Sequence, residues 1–237
     1  SNATDATLKL KHLASIGEAN VEYGNPQIEV KVDKKGKKLH IIDQGIGMTE
    51  DEVKKYINEL AFSGAEEFLN KYDDTAKDAG IIGHFGLGFY SSFMVAEKVE
   101  IITKSHKDEP AAHWSCDGSP KFSLKKGKKE DHGTEIILHI ADDSKEFLEE
   151  SRITELLMKY NKFMPIPIKF GMKTETLPKP EGAKEEDEAP TQEVDNIINN
   201  PNPAWTKQPA DLEDQDYKDF YRELYPMQFE EPLFHIH

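Results

Sequence analysis

The stretch Gly83-His84-Phe85-Gly86-Leu87-Gly88-Phe89-Tyr90-Ser91 holds the residues best suited to gripping an anion. Glycines at 83, 86 and 88 let the backbone approach a ligand closely, and they lead into Phe89–Ala96, which reads as a buried helix. Free N–H groups and the positive end of a helix favour phosphate. The stretch lacks the Gly-Lys-Ser/Thr of a P-loop and the third glycine of the dinucleotide fingerprint. Alone, it is as much a plain turn before a core helix as a phosphate cradle. A second stretch is Asp43-Gln44-Gly45-Ile46-Gly47-Met48-Thr49. An acid at a strand end followed by two glycines is either a ligand-reading turn or a simple Asp-Gly loop. A third lies near the start, where Asn2, Ala6 and Lys9 fall at steps of four and three around a helix that also carries Asp5. Gly133-Thr134, entering a strand, adds a hydroxyl.

The elements that position these residues follow from periodicity. Ala3, Ala6, Leu10, Leu13 and Ala14 predict a helix over 1–14, stopped by Gly17. Residues 27–32 alternate as a half-buried strand, 33–38 form a lysine-rich hairpin tip with Gly36 supplying positive φ, and 39–42 return. Thr49 caps the next helix, with Glu52 in the capping-box position. That helix runs to about residue 60, Ser63-Gly64 breaks it, and 65–72 is a second short helix before a polar stretch. The segment between Met48 and Gly83 is thus either a lid over a site or a rigid helical excursion. Strands over 99–104, 112–116, 121–124 and 133–140 read as an antiparallel meander. An amphipathic helix over 148–163 should bury Ile153, Leu156, Leu157 and Tyr160. Pro167 confines the closing strand 166–170 to an edge or a strand end. Residues 178–195 form an acidic linker, and 196–237 open a second domain with a helix near 214–225 and a terminal strand at 233–237.

Composition narrows the function. The chain has 237 residues and a net charge of −15, which argues against nucleic acid as the main partner. Cys116 is the only cysteine, so no internal disulfide forms. No apolar run approaches the ~20 residues that cross a bilayer, and no secretory signal pattern opens the chain. The expectation is a soluble, cytoplasmic protein with no membrane partner. The histidines show no metal-ligand spacing; His235 and His237 share a face of the expected terminal strand and read as strand surface.

Together the four signals resemble the boxes of the ATPase superfamily shared by heat-shock chaperones, type II topoisomerases, mismatch-repair proteins and histidine kinases. The likeness is closest to the ninety-kilodalton heat-shock chaperone family in its bacterial, high-temperature protein G, form. It is carried by Ser1–Ala6, Asp43–Thr49 and Gly83–Ser91, and by Pro203-Ala-Trp-Thr206 after the acidic linker. Ser1-Asn2-Ala3 also matches a remnant of tag removal.

The resemblance implies an α+β two-layer sandwich, with a mixed, mostly antiparallel sheet and helices on one face. It divides the chain into a nucleotide-binding domain over 1–177 with an ATP lid at about 60–82, a linker over 178–195, and the start of a middle domain. It implies ATP or ADP with Mg²⁺ as cofactors. Asp43 would accept a hydrogen bond from the adenine amino group and reject guanine. Gly47 would let the backbone approach the base, Met48 would give apolar contact, and Thr134 would act through water. Asn2 would ligate Mg²⁺. Asp5, Ala6 and Lys9 share its helix. The N–H groups of Gly86, Leu87, Gly88 and Phe89 would hold the phosphates, and Gly83, His84 and Phe85 would complete the ATP-binding loop. Client proteins and a homodimer are the implied partners of the full-length protein.

Two residues depart from the family pattern. Phe62 stands where a lysine is common, and His84, where glutamine is common, either tunes phosphate binding or packs. The family's general-base glutamate falls one helical turn before Asn2, ahead of Ser1, and its γ-phosphate arginine lies in the middle domain beyond the chain. The expectation is therefore a nucleotide-binding chaperone domain deficient in hydrolysis. A non-hydrolysing adenine-nucleotide sensor and a DNA-linked ATPase are the alternatives.

Overall fold

Alternating apolar and polar residues along the strands produce a sheet with one buried face. The computed structural model describes residues 1–58, 64–72, 80–83, 86–177 and 189–234. Its strands are β1 (Ile28–Asp33), β2 (Lys38–Asp43), β3 (Ala96–Lys104), β4 (Ala112–Cys116), β5 (Phe122–Lys126), β6 (Gly133–Ile140), β7 (Ile168–Thr176) and β8 (Thr191–Ile197). They form one sheet in the order β5-β4-β3-β6-β2-β1-β7-β8. Among the described residues only the β1–β7 pair is parallel. The helices are α1 (Asn2–Ser15), α2 (Glu50–Asn58), α3 (Gly64–Lys71), α4 (Glu150–Tyr160) and α5 (Asp214–Leu224), with 3₁₀ turns at Gly88–Met94 and Asp142–Leu148. This is the expected α+β sandwich.

The core forms where Val53 and Ile57 of α2 and Ile153 of α4 meet Val30, Val99, Ile101, Trp114, Leu138 and Phe170 of the sheet. The intervening strand residues form polar pairs on the opposite face. There Glu100 bonds His113 at 2.7 Å and His139 at 2.6 Å, and His40 bonds Glu135 at 2.8 Å. The capping box forms as expected. Thr49 N–H donates to Glu52 Oε2 at 2.8 Å and Glu52 N–H to Thr49 Oγ1 at 3.2 Å.

Several expectations are corrected. The positive φ of the first hairpin belongs to Lys37, at 51°, and not to Gly36. At Gly36 a Cβ would meet only the exposed Asp33 carboxylate, a side chain free to turn away, so the turn makes no steric demand for glycine there. The helix after the glycine stretch is a 3₁₀ turn with no buried residue, because the chain enters β3 at Ala96. The meander fails at its last step: β6 skips β5 and inserts between β3 and β2. Its apolar run suits the sheet interior, whereas the exposed, lysine-bearing β5 suits an edge. Tyr160 is exposed rather than on the buried face of α4.

Strand β7 is interior, flanked by β1 and β8, with Pro167 just before it accepting the Ile28 N–H at 2.8 Å. Residues 191–195 of the expected linker are strand, because β8 pairs with β7 and Asp195 meets Lys169 at 2.8 Å. Residues 178–188 lie outside the described residues, as do 60–63 and 73–79 of the expected lid and 235–237 of the expected terminal strand. Leu233 and Phe234 adopt no strand.

The chain beyond β8 stays fastened to the sheet. Buried Asn199 accepts the Ile168 N–H at 2.7 Å and donates to Met164 O at 2.7 Å and Ile166 O at 2.9 Å. Trp205 sits 4.7 Å from Phe163 and 5.3 Å from Phe220 of α5, ring centroid to centroid. Asn199→Ala would strand three backbone groups and should lower stability by ~2–4 kcal/mol in urea unfolding. A loss under ~0.5 kcal/mol, the usual range for surface changes, would refute that fastening.

Candidate functional site

Strand register assembles the polar centre of the site. Asp43 at the end of β2 pairs with Thr134 at the start of β6, and Thr134 pairs with Thr103 near the end of β3. All three are buried. Asp43 Oδ1 accepts the Gly45 N–H at 2.8 Å and the Thr134 N–H at 3.3 Å. Burial pushes the Asp43 carboxyl up to about 7, against the pull of these two donors and of Lys129. Thr103 Oγ1 accepts the Met48 N–H at 2.9 Å and lies 2.9 Å from Thr134 Oγ1.

The loop after Asp43 is threaded between α1 and the end of β3. Ile46 N–H donates to Ala6 O at 3.1 Å, and His106 N–H to Ile46 O at 2.8 Å. Glycine is obligatory at both narrow points. A Cβ on Gly45 would lie 2.5 Å from the Ala6 carbonyl carbon; one on Gly47, whose φ is +58°, would lie 1.8 Å from Lys104 O.

Helix α1 ties the glycine stretch to this loop. Asp5, buried, accepts the Ile82 N–H at 2.8 Å on one oxygen and the Gly83 N–H at 2.7 Å on the other. Lys9, also buried, sits with its ammonium 5.7 Å from the ring centre of Phe68 on α3. Burial pulls the Lys9 pKa down, and nearby Asp5 opposes this. Asn2 Oδ1 lies 3.9 Å from where a Gly88 Cβ would stand, so its amide oxygen faces the glycine stretch.

These groups border one cleft of about 1580 Å³. Asn2, Asp5, Ala6 and Lys9 line one wall; Asp43, Gly47, Met48 and Thr134 line the deep end; Gly83, Gly86, Leu87, Gly88 and Phe89 line the rest. The structure thus brings together thirteen of the sixteen expected residues; the other three, Phe62, His84 and Phe85, lie outside the described residues. Sequence reasoning missed Lys104, His106 and His132 on the same cleft, and Thr103 behind it. Their signal is the pairing of β3 with β6, which sequence periodicity does not specify.

The deep end offers a buried acceptor among Ile41, Ile136 and Met48, a setting for a flat apolar ring that carries an N–H donor. The glycine end offers close backbone approach and the Lys9 ammonium, a setting for an anion. Among the described residues no group of three His, Cys, Asp or Glu side chains is placed to hold a metal ion.

Residues 1–144 match the family described as histidine kinase-, DNA gyrase B-, and HSP90-like ATPases, and the chain belongs to that family. Within it, the chain is 56% identical over 238 residues to the chaperone protein HtpG of Bacteroides thetaiotaomicron and 54% identical to that of Porphyromonas gingivalis, in each case across 100% of this chain and 33% of the relative. Against the HtpG of Sulfurimonas denitrificans the identity is 41%, across 100% of this chain and 38% of the relative. The resemblance to the heat-shock chaperones therefore holds along the whole chain, which spans about a third of the length of the curated relatives it matches.

Asp43 should leave a signature in stability. Its pKa is about 7 in the folded chain against 3.8 for a solvated aspartate, so between these values the folded chain holds a proton that the unfolded chain has released. Its contribution is full below pH ~4 and is lost as pH rises through ~7, a fall of up to about 4 kcal/mol. Subtracting the pH–stability curve of Asp43→Asn from that of the unliganded parent should reveal this slope. A flat difference would show that Asp43 titrates as an ordinary carboxyl.

Proposed function

We propose that the chain is the N-terminal nucleotide-binding domain of an ATP-dependent molecular chaperone. The observation that carries this reading is one cleft with a buried carboxylate acceptor at its deep end and Gly83, Gly86 and Gly88 lining the other. In this reading Asp43 accepts the adenine amino hydrogen, Gly47 and Met48 contact the ring, and Thr134 acts through water. Asn2 holds Mg²⁺ on the phosphates of ATP or ADP. Lys9 and the N–H groups from Gly86 to Phe89 hold the phosphates, with Asp5, Ala6 and Gly83 shaping the wall. Phe62, His84 and Phe85 complete the site. The segment 60–82 acts as lid, within a nucleotide-binding domain that ends near 177; a linker and the start of a middle domain follow. The full-length protein works in the cytoplasm as a homodimer on partly folded clients, without nucleic acid or membrane.

The chain alone binds without efficient turnover. Asp5 is the one carboxylate on α1, and both its oxygens are already held by backbone N–H groups, so it does not serve as a general base. This favours a binding module as the second reading. The charge of −15 disfavours a DNA-linked ATPase.

Calorimetry with Mg²⁺ should show ADP binding at least about tenfold tighter than GDP, and Asp43→Asn should weaken ADP by about tenfold, or ~1.4 kcal/mol. Equal affinity for the two bases, or an unchanged Asp43→Asn, would overturn the adenine reading. Phosphate release by the 237-residue chain as fast as by its full-length parent would overturn the deficiency in turnover.

A further inference from the structure

We propose that His132 is a positioning residue for Asp43, fixing the backbone of Gly45 so that the carboxylate meets the base in one orientation. The inference rests on the adenine reading of the site and assigns a specificity role to a side chain outside its motifs.

His132 Nδ1 lies 2.9 Å from Gly45 O. A carbonyl only accepts, so Nδ1 carries the proton. On the other side of the same Cα, the Gly45 N–H donates to Asp43 Oδ1 at 2.8 Å. Gly45 is therefore pinned on both flanks, once by the acid and once by the imidazole. The pinning answers a specific weakness. Only glycine fits here, because a Cβ would lie 2.5 Å from the Ala6 carbonyl carbon. Glycine is also the residue whose backbone loses most freedom on being fixed. A tether from outside the loop supplies the restraint that glycine lacks.

The origin of the tether matters as well. His132 directly precedes Gly133-Thr134, and the Thr134 N–H is the second donor to Asp43 Oδ1. One side chain thus joins the two backbone segments that hold the acid. The next residue of the loop has its own anchors: Ile46 is held by Ala6 O and by the His106 N–H. Freeing the Gly45 carbonyl would leave those anchors intact and loosen the segment that aims Asp43. His132 borders the cleft, and its own turn carries Lys129, Glu130 and Asp131, so its role here is hydrogen bonding from a neutral or a charged ring alike.

The test is calorimetry with Mg²⁺-ADP on the 237-residue chain, with thermal melting of each variant. His132→Ala and the bulkier, donor-free His132→Leu should each weaken ADP by about tenfold. His132→Asn, whose side-chain N–H₂ stands near the position of Nδ1, should recover most of that loss. Added to Asp43→Asn, His132→Leu should cost little more, because the group it positions has already been changed. Full additivity in the double variant, or parental affinity in a folded His132→Leu, would overturn the proposal. Parental affinity in Asp43→Asn alone would instead overturn the adenine reading on which it rests.

Discussion

A carboxylate taken out of water is costly unless charges or donors surround it. Asp43 is buried and receives two backbone N–H groups on one oxygen. That leaves it short of full compensation, which is why its carboxyl is pushed up to about 7. In the proposed reading, that shortfall is what a ligand N–H meets at the deep end of the cleft. Much of the surrounding architecture holds this one group in place. The β2–β6–β3 register sets Thr134 and Thr103 beside it, and the loop after it is wedged between Ala6 and the end of β3.

The glycine end of the cleft is built with a second buried carboxylate used in a different way. Asp5 spends both oxygens on the Ile82 and Gly83 N–H groups, so it fastens the start of the glycine stretch to α1. The helix that carries Asn2 and Lys9 thereby also sets where the glycines stand. Lys9 reaches across to Phe68 of α3, which links the same helix to the segment read as a lid. A ligand whose anionic end drew Lys9 away would compete directly with that contact.

What sequence made legible was what neighbouring residues decide. The capping box of Thr49 and Glu52 forms because the partners are three residues apart, and the glycines at 45 and 47 announce a tight loop without saying what presses on it. Non-local pairing was hidden. Periodicity shows that β6 is a strand but not that it slides between β3 and β2, so the Thr103–Thr134 contact was invisible. The strand β8 was masked by the acidic composition just before it, and Tyr160 by a helical period that outran the buried stripe. His132 carried no signal at all, because its meaning lies in a carbonyl distant in sequence.

The central claim is that Asp43 is an under-compensated buried acceptor completed by the base of a nucleotide. The most direct measurement follows the Asp43 side-chain carboxyl carbon by NMR as pH is varied, without nucleotide and saturated with Mg²⁺-ADP. The account predicts a midpoint near 7 in the free chain. It predicts that ADP drives the midpoint down by at least one pH unit, since a donor to the ionised form lowers a carboxyl pKa. A free-state midpoint near 4, the ordinary carboxyl range, or a midpoint that ADP leaves in place, would contradict it.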